Sequence, residues 1–115
     1  VLEPRPALLT ELILQIGDPR VGLCLDLGHA ATMASEIPAL DWIAPMAPYL
    51  RHVHLHNNEG REDLHQPLCQ GVIPMRQALD ALLQLDGGIT FTIENQDCAP
   101  SLNFLAAHGL WEASK

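Results

Sequence analysis

Apolar and polar residues alternate with period two in three short stretches: VGLCLD over 21–26, RHVHLH over 51–56 and ITFTIE over 89–94. Successive side chains of a strand point to opposite sides of the sheet, so this alternation predicts three strands with two unlike faces. One face carries Leu23, Leu25, Val53, Leu55, Ile89, Phe91 and Ile93. The other carries Gly22, Cys24, Asp26, His52, His54, His56, Thr90, Thr92 and Glu94. Each polar face ends, toward its C-terminus, in a residue that can ligate a metal.

Between these stretches the apolar spacing changes to that of helices. Leu8, Leu9, Leu12, Ile13 and Ile16 predict a helix over 6–16, broken by Gly17-Asp-Pro. Trp42, Ile43 and Met46 predict a second over 39–47, bounded by Pro48. Met75, Ala78, Leu79, Leu82 and Leu83 predict a third over 75–85, before Gly87-Gly88. A last helix is expected from about 100 to 109, with Gly109 as its C-terminal cap. The order αβαβαβα with short connections predicts a parallel sheet with crossover helices. Strands covered by helices on both faces read as continuous apolar runs. The polar alternation here instead predicts a barrel wall, with the odd positions under the helices and the even positions inside. The fold class expected is α/β.

The length, 115 residues, allows one small domain and falls well short of the roughly 250 residues of an eight-fold (β/α) barrel. The sequence begins at Val1, so missing N-terminal strands are expected. A net charge of −8, from 14 acidic and 6 basic residues, with the sole lysine at Lys115, argues against a nucleic-acid surface. It suits a cation or a neutral substrate. Three cysteines (Cys24, Cys69 and Cys98) without C-x-x-C spacing argue against a disulfide framework or a cysteine-rich zinc site, and for a reducing cytoplasm. Cys24 is expected to be a small core residue. No apolar run approaches the roughly 20 residues of a membrane span.

Four clusters carry candidate chemistry. In Asp26-Leu-Gly-His29, Asp26 ends a strand and His29 follows in the loop, so both could reach the barrel mouth where such enzymes keep their sites; Asp26 could equally cap the next helix. In His52-Val-His-Leu-His56, His54 is the preferred metal ligand, His52 lies deeper as a structural residue, and His56 is a candidate for contact with substrate or a second metal. Asp63-Leu-His65 could chelate a second ion, hold a substrate hydroxyl, or form a solvated loop. Glu94-Asn95 ends a largely apolar strand, where an unpaired carboxylate is costly to bury and a divalent cation would satisfy it. Mixed carboxylate and imidazole ligands suit Zn²⁺, Mn²⁺, Fe²⁺ or Co²⁺, with Mg²⁺ also open. Ser35 and Ser101 read as helix-terminal caps. No P-loop, nucleophile elbow or G-x-G-x-x-G is present.

In this order, "VGLCLDLGHA", "HVHLHNNEGREDLH" followed by "QGVIPM", and "FTIEN" resemble the xylose isomerase-like TIM-barrel superfamily, which includes sugar phosphate isomerases and epimerases and apurinic-site endonucleases. The resemblance covers nearly the whole chain. It implies that residues 1–115 form the C-terminal part, about three βα units, of a (β/α)8 TIM barrel. It places Asp26, His54 and Glu94 at metal-ligand positions. His29 falls where epimerases contact substrate and nucleases hold a further metal, and Asp63 and His65 fall where nucleases hold an additional zinc. Three features depart from the pattern. The family's metal-bridging Glu belongs to a strand that would end before Val1, with Glu3 in the loop after it. His56-Asn57-Asn58 stands in place of His-Asp-Asn, and Cys69-Gln-Gly-Val-Ile-Pro74 in place of G-x-G-x-I-D.

The activity this implies is a metal-dependent sugar or polyol isomerase or epimerase, with Glu94, or the family's Glu on the strand before Val1, as proton-transferring group and His29 orienting a hydroxyl. Arg61 is a candidate for an anionic substrate group or a solvated loop charge. The alternatives are a multi-metal phosphodiesterase or apurinic-site endonuclease, and an inactive fragment. Two open sheet edges would invite a second copy of the chain or a complementing N-terminal half.

Overall fold

The computed structural model describes residues 4–32, 34–85 and 87–112. Glu3 and Lys115 lie outside them. The elements are α1 (Pro6–Ile16), β1 (Leu23–Asp26), α2 (Leu27–Ala30), α3 (Ile43–Met46), β2 (Leu50–Leu55), α4 (Met75–Leu83), β3 (Thr90–Ile93) and α5 (Ala99–Ala107). The strands form one parallel sheet in the order β1-β2-β3. Parallel neighbours need a crossover between them. The segment ending in α3 supplies it between β1 and β2, and α4 between β2 and β3.

The first helix has the bounds that its pattern predicts. Pro6 begins it, where the missing N–H costs no hydrogen bond. Gly17 ends it in a left-handed conformation (φ 63°), its N–H donating to the Ile13 carbonyl at 3.2 Å. Only one of its two apolar ridges is used: Ile13 is buried and Leu9 packs on the core, whereas Leu8, Leu12 and Ile16 are exposed.

The second predicted helix is broken up. Residues Ala39–Trp42 and Ala47–Tyr49 are 3₁₀ turns flanking the single turn of α3. Pro45 and Pro48 have no N–H to donate, so an unbroken α-helical ladder cannot form here. The apolar side survives: Trp42, Ile43 and Met46 are buried. In α4, Met75, Ala78, Leu79 and Leu82 face the core, while Leu83 is exposed and the helix stops there, short of the predicted residue 85.

The core lies between the helices and the apolar face of the sheet, with Leu23, Leu25, Val53 and Leu55 at its centre. Leu50 joins them although it lies an odd number of residues from Val53. The register explains this. Leu23 pairs with Leu50, but Cys24 pairs with His52, so Arg51 is an extra residue on the β2 side. Without it Asp26 would lie opposite Val53, because a one-residue slip exchanges the two faces. With it, Asp26, His54 and Thr92 share one row across the sheet.

The polar face is open. Cys24, Thr90 and Thr92 are exposed, and His52 and His54 are partly exposed. Cys24 is therefore no core residue: it points, with His52, to the side that the helices leave uncovered. No helix among the described residues is long and apolar enough to cross a membrane.

Candidate metal centre

Asp26 is the pivot. It ends β1 and caps α2: its Oδ1 accepts from the backbone N–H of His29 at 2.9 Å and from His56 Nε2 at 2.6 Å. The capping role and the site role are thus the same geometry, one oxygen serving each. Its Oδ2 lies 3.2 Å from His29 Nδ1 and 3.6 Å from His54 Nδ1. Burial raises the pKa of this carboxyl, but the hydrogen bonds from His56 and His29 and their charge outweigh burial and hold it below the ordinary carboxylate value.

His54 enters from the middle of the sheet, its Nδ1 3.1 Å from Glu94 Oε1. Glu94 follows β3 directly and is tied to β2 by its own N–H, which donates to the Leu55 carbonyl at 3.0 Å. Asp26, His54 and Glu94 thus offer one ligand atom each, all within 4.8 Å of one another. Neighbouring donors around a small divalent ion stand about 2.8–3.6 Å apart, from right-angled to tetrahedral arrangements, given metal–ligand bonds of about 2.0–2.2 Å. The separations of 3.1 and 3.6 Å fit such an ion.

A second group adjoins the first. Asp63 Oδ2 contacts both His29 Nε2 and His65 Nε2, the latter at 3.1 Å. His29, Asp63 and His65 also offer converging ligand atoms, as do His56, His65 and Glu94. His65 holds a left-handed backbone (φ 52°), and its Nδ1 lies 2.9 Å from the Glu94 carbonyl. Partial burial lowers its pKa, but the Glu94 carbonyl and the Asp63 carboxylate together raise it above the ordinary imidazole value.

The three histidines of β2 have three different settings. His52 sits low on the polar face between two hydroxyls, Nδ1 2.7 Å from Thr90 Oγ1 and Nε2 2.9 Å from Thr92 Oγ1. His54 belongs to the converging set. His56, the candidate for contact with substrate or a second metal, has 0 % exposure: its ring is sealed against the turn of α2 and against His65, so in this arrangement it has no open side. Arg61 is exposed and makes no ion pair among the described residues.

Five residues to which the sequence assigns no such role, Asn57, Asn58, Gly71, Asn95 and Ser101, hold the loop that carries Asp63 and His65. Asn57 is buried; its Nδ2 donates to the carbonyls of Leu68 and Ile73, and its Oδ1 accepts from the N–H groups of Asn58 and Ile73. Asn58, also buried, donates to the Gly28 carbonyl at 2.8 Å and so ties this loop to the turn after Asp26. Gly71 fits only without a side chain: a Cβ there would lie 2.2 Å from Asn57 Oδ1. Asn95 donates to the carbonyls of His65 and Gln66 and accepts from Ser101 Oγ, which in turn accepts from the Leu68 N–H. Ser101 is thus a buried tie between α5 and the loop, not a cap. Ser35 is no helix cap either; its Oγ donates to the Ile37 carbonyl and accepts from Trp42 Nε1. The available signal was a polar pair, Asn57-Asn58, directly after a strand.

Openings flank the site. A cleft of about 190 Å³ runs beside Cys24, Asp26, His29 and Trp42. A wider groove passes Asp63, His65, Glu94 and Asn95.

Comparison with known proteins agrees with this architecture. The solved structure described as a D-tagatose 3-epimerase-like protein superposes with a TM-score of 0.75 at 26 % identity, over 95 % of this chain and 41 % of that one. A protein of Methanocaldococcus jannaschii, the uncharacterized protein MJ1311, is 28 % identical over 97 residues. That match takes in 84 % of this chain but only 33 % of the relative, so the chain spans about a third of its length. The family described as "Xylose isomerase-like TIM barrel" matches residues 3–112. Three parallel strands, helices on one face and convergent ligands at the strand ends accord with that match, and the chain belongs to the xylose isomerase-like TIM-barrel family.

Proposed function

We propose that this chain supplies the metal-binding part of a sugar or polyol isomerase or epimerase. One observation carries the reading: Asp26 Oδ2, His54 Nδ1 and Glu94 Oε1 converge at the C-terminal ends of three adjacent parallel strands. These residues hold a divalent cation, which when bound polarises neighbouring carbonyl and hydroxyl oxygens of a substrate. Glu94 keeps its second oxygen, Oε2, for a proton moving at the carbon beside the carbonyl. His29 hydrogen-bonds a substrate hydroxyl through the arm of the site that Asp63 also reaches. The epimerase-like structural neighbour supports a sugar as the substrate class.

The test is calorimetric titration with Mn²⁺, Co²⁺ and Zn²⁺, followed by incubation with a panel of aldoses and ketoses in D₂O. One ion per chain and carbon-bound deuterium in a sugar are expected. Absence of any ion binding overturns the reading.

The adjoining His29, Asp63 and His65 group favours a second reading, a multi-metal phosphodiesterase. Two or three ions per chain with hydrolysis of bis(p-nitrophenyl) phosphate, and no deuterium exchange, would select it. The acidic balance of 14 carboxylates against 6 basic residues disfavours DNA as that substrate.

A further inference from the structure

His56 is fully buried, yet no step above uses it. Its ring is clamped from two sides. Gly28 lies against it so closely that a Cβ at that position would fall 2.0 Å from His56 Cε1 and Nδ1. On the other side the His65 ring stacks on it, with centroids 3.9 Å apart and planes 3° from parallel. Nδ1 has no hydrogen-bond partner. Two carboxylate oxygens stand farther off, Asp63 Oδ1 at 3.6 Å from Nδ1 and Glu94 Oε2 at 3.9 Å from Nε2. The hydrogen bond the ring makes is Nε2 to Asp26 Oδ1 at 2.6 Å, and because an ionised carboxylate only accepts, Nε2 carries the proton and donates.

That bond divides the labour within one carboxylate. Oδ1 receives two donors, the His29 N–H and the His56 Nε2–H. Oδ2 faces His54 and His29 across the open site. A carboxylate fixed by one oxygen keeps the other aimed, and partners behind a ligand commonly govern metal affinity through that aim. We infer that His56 is a positioning residue, whose rigid Nε2–H holds Asp26 so that Oδ2 is presented to the cation.

The inference rests on the metal reading above, and its test separates the two. His56→Phe keeps a buried ring against Gly28 and His65 but removes the donor. His56→Gln keeps an N–H at the place of Nε2. Co²⁺ titrations of the whole chain, read by the visible absorption of the ion, are compared for the wild type and both variants, with folding checked by circular dichroism. The expected result is a loss of roughly 10- to 100-fold in Co²⁺ affinity and an altered spectrum for His56→Phe, and near wild-type affinity for His56→Gln. Unchanged affinity in His56→Phe, or an equal loss in both variants, overturns the positioning role while leaving the metal site intact. A wild type that binds no Co²⁺ overturns the metal reading and this inference with it. Should His56→Phe not fold, ¹⁵N spectra of the wild type decide: a protonated Nε2 with and without Zn²⁺ supports the role, and a protonated Nδ1 refutes it.

Discussion

The lower and upper halves of the polar face are built from the same alternation and do different things. Below, Cys24, His52 and Thr90 lie in one row, and His52 spends both ring nitrogens on threonine hydroxyls. Above, Asp26, His54, His56 and Glu94 set carboxylates against imidazoles, with ligand atoms left over. His52 and His54 are two residues apart with rings 5.1 Å from centre to centre, so position on a face does not separate them. What separates them is the partner strand: hydroxyls lie opposite His52, a carboxylate above His54. Chemistry on this sheet is decided by depth along the strand.

The sharpest way to break that contrast is to remove the two histidines in turn. His54→Ala deletes one of three converging ligands, and metal affinity should fall by about 100-fold or more by calorimetry. His52→Ala should leave affinity within about threefold, since the ring is engaged by Thr90 and Thr92. Equal losses would mean that depth does not matter.

Gly28→Ala attacks the upper half through packing. Its Cβ would meet the immobile His56 ring at 2.0 Å, and such overpacking costs about 1–3 kcal/mol. A lowered urea midpoint, with weakened metal binding alongside, is expected. Stability without binding loss would uncouple α2 from the site.

Asn57→Ala probes the frame rather than the ligands. It leaves the buried Leu68 carbonyl and the Ile73 N–H and carbonyl short of partners, a loss of about 1–3 kcal/mol in urea unfolding. Hydrogen exchange should quicken in the loop at 57–73 while the amides of β1 stay protected.

The smallest effect links the halves. Partial desolvation of the sulfur by its neighbours on the open face, then the charges of Asp26 and Glu94, push the Cys24 thiol above its ordinary pKa. A thiol with a raised pKa stays neutral, and so slow to alkylate, until the pH passes that higher value. Asp26→Asn or Glu94→Gln removes one negative charge, so the pH at which iodoacetamide reacts half-maximally with Cys24 should move down. An upward shift would contradict the assignment.

Much of this arrangement was legible in the residues. Period-two alternation marked the strands and their faces, and the caps Pro6 and Gly17 marked α1. Parallel strands end together, which brings Asp26, Glu94 and the β2 histidines to one end of the sheet, and the family resemblance of the motifs singles out His54 among them. The extra residue at Arg51 was not legible, because a register irregularity is a relation between strands and leaves no period of its own. The fate of His56 was also hidden, since its parity matches that of His54.

The sequence by itself determined which side chains share a face, because the pleat fixes that locally. Only the tertiary structure decided which of them meet, which are sealed and which stay open. A glycine in α2, a stacked ring from a distant loop and a shifted register act across the chain. Their effects exist only once those segments touch.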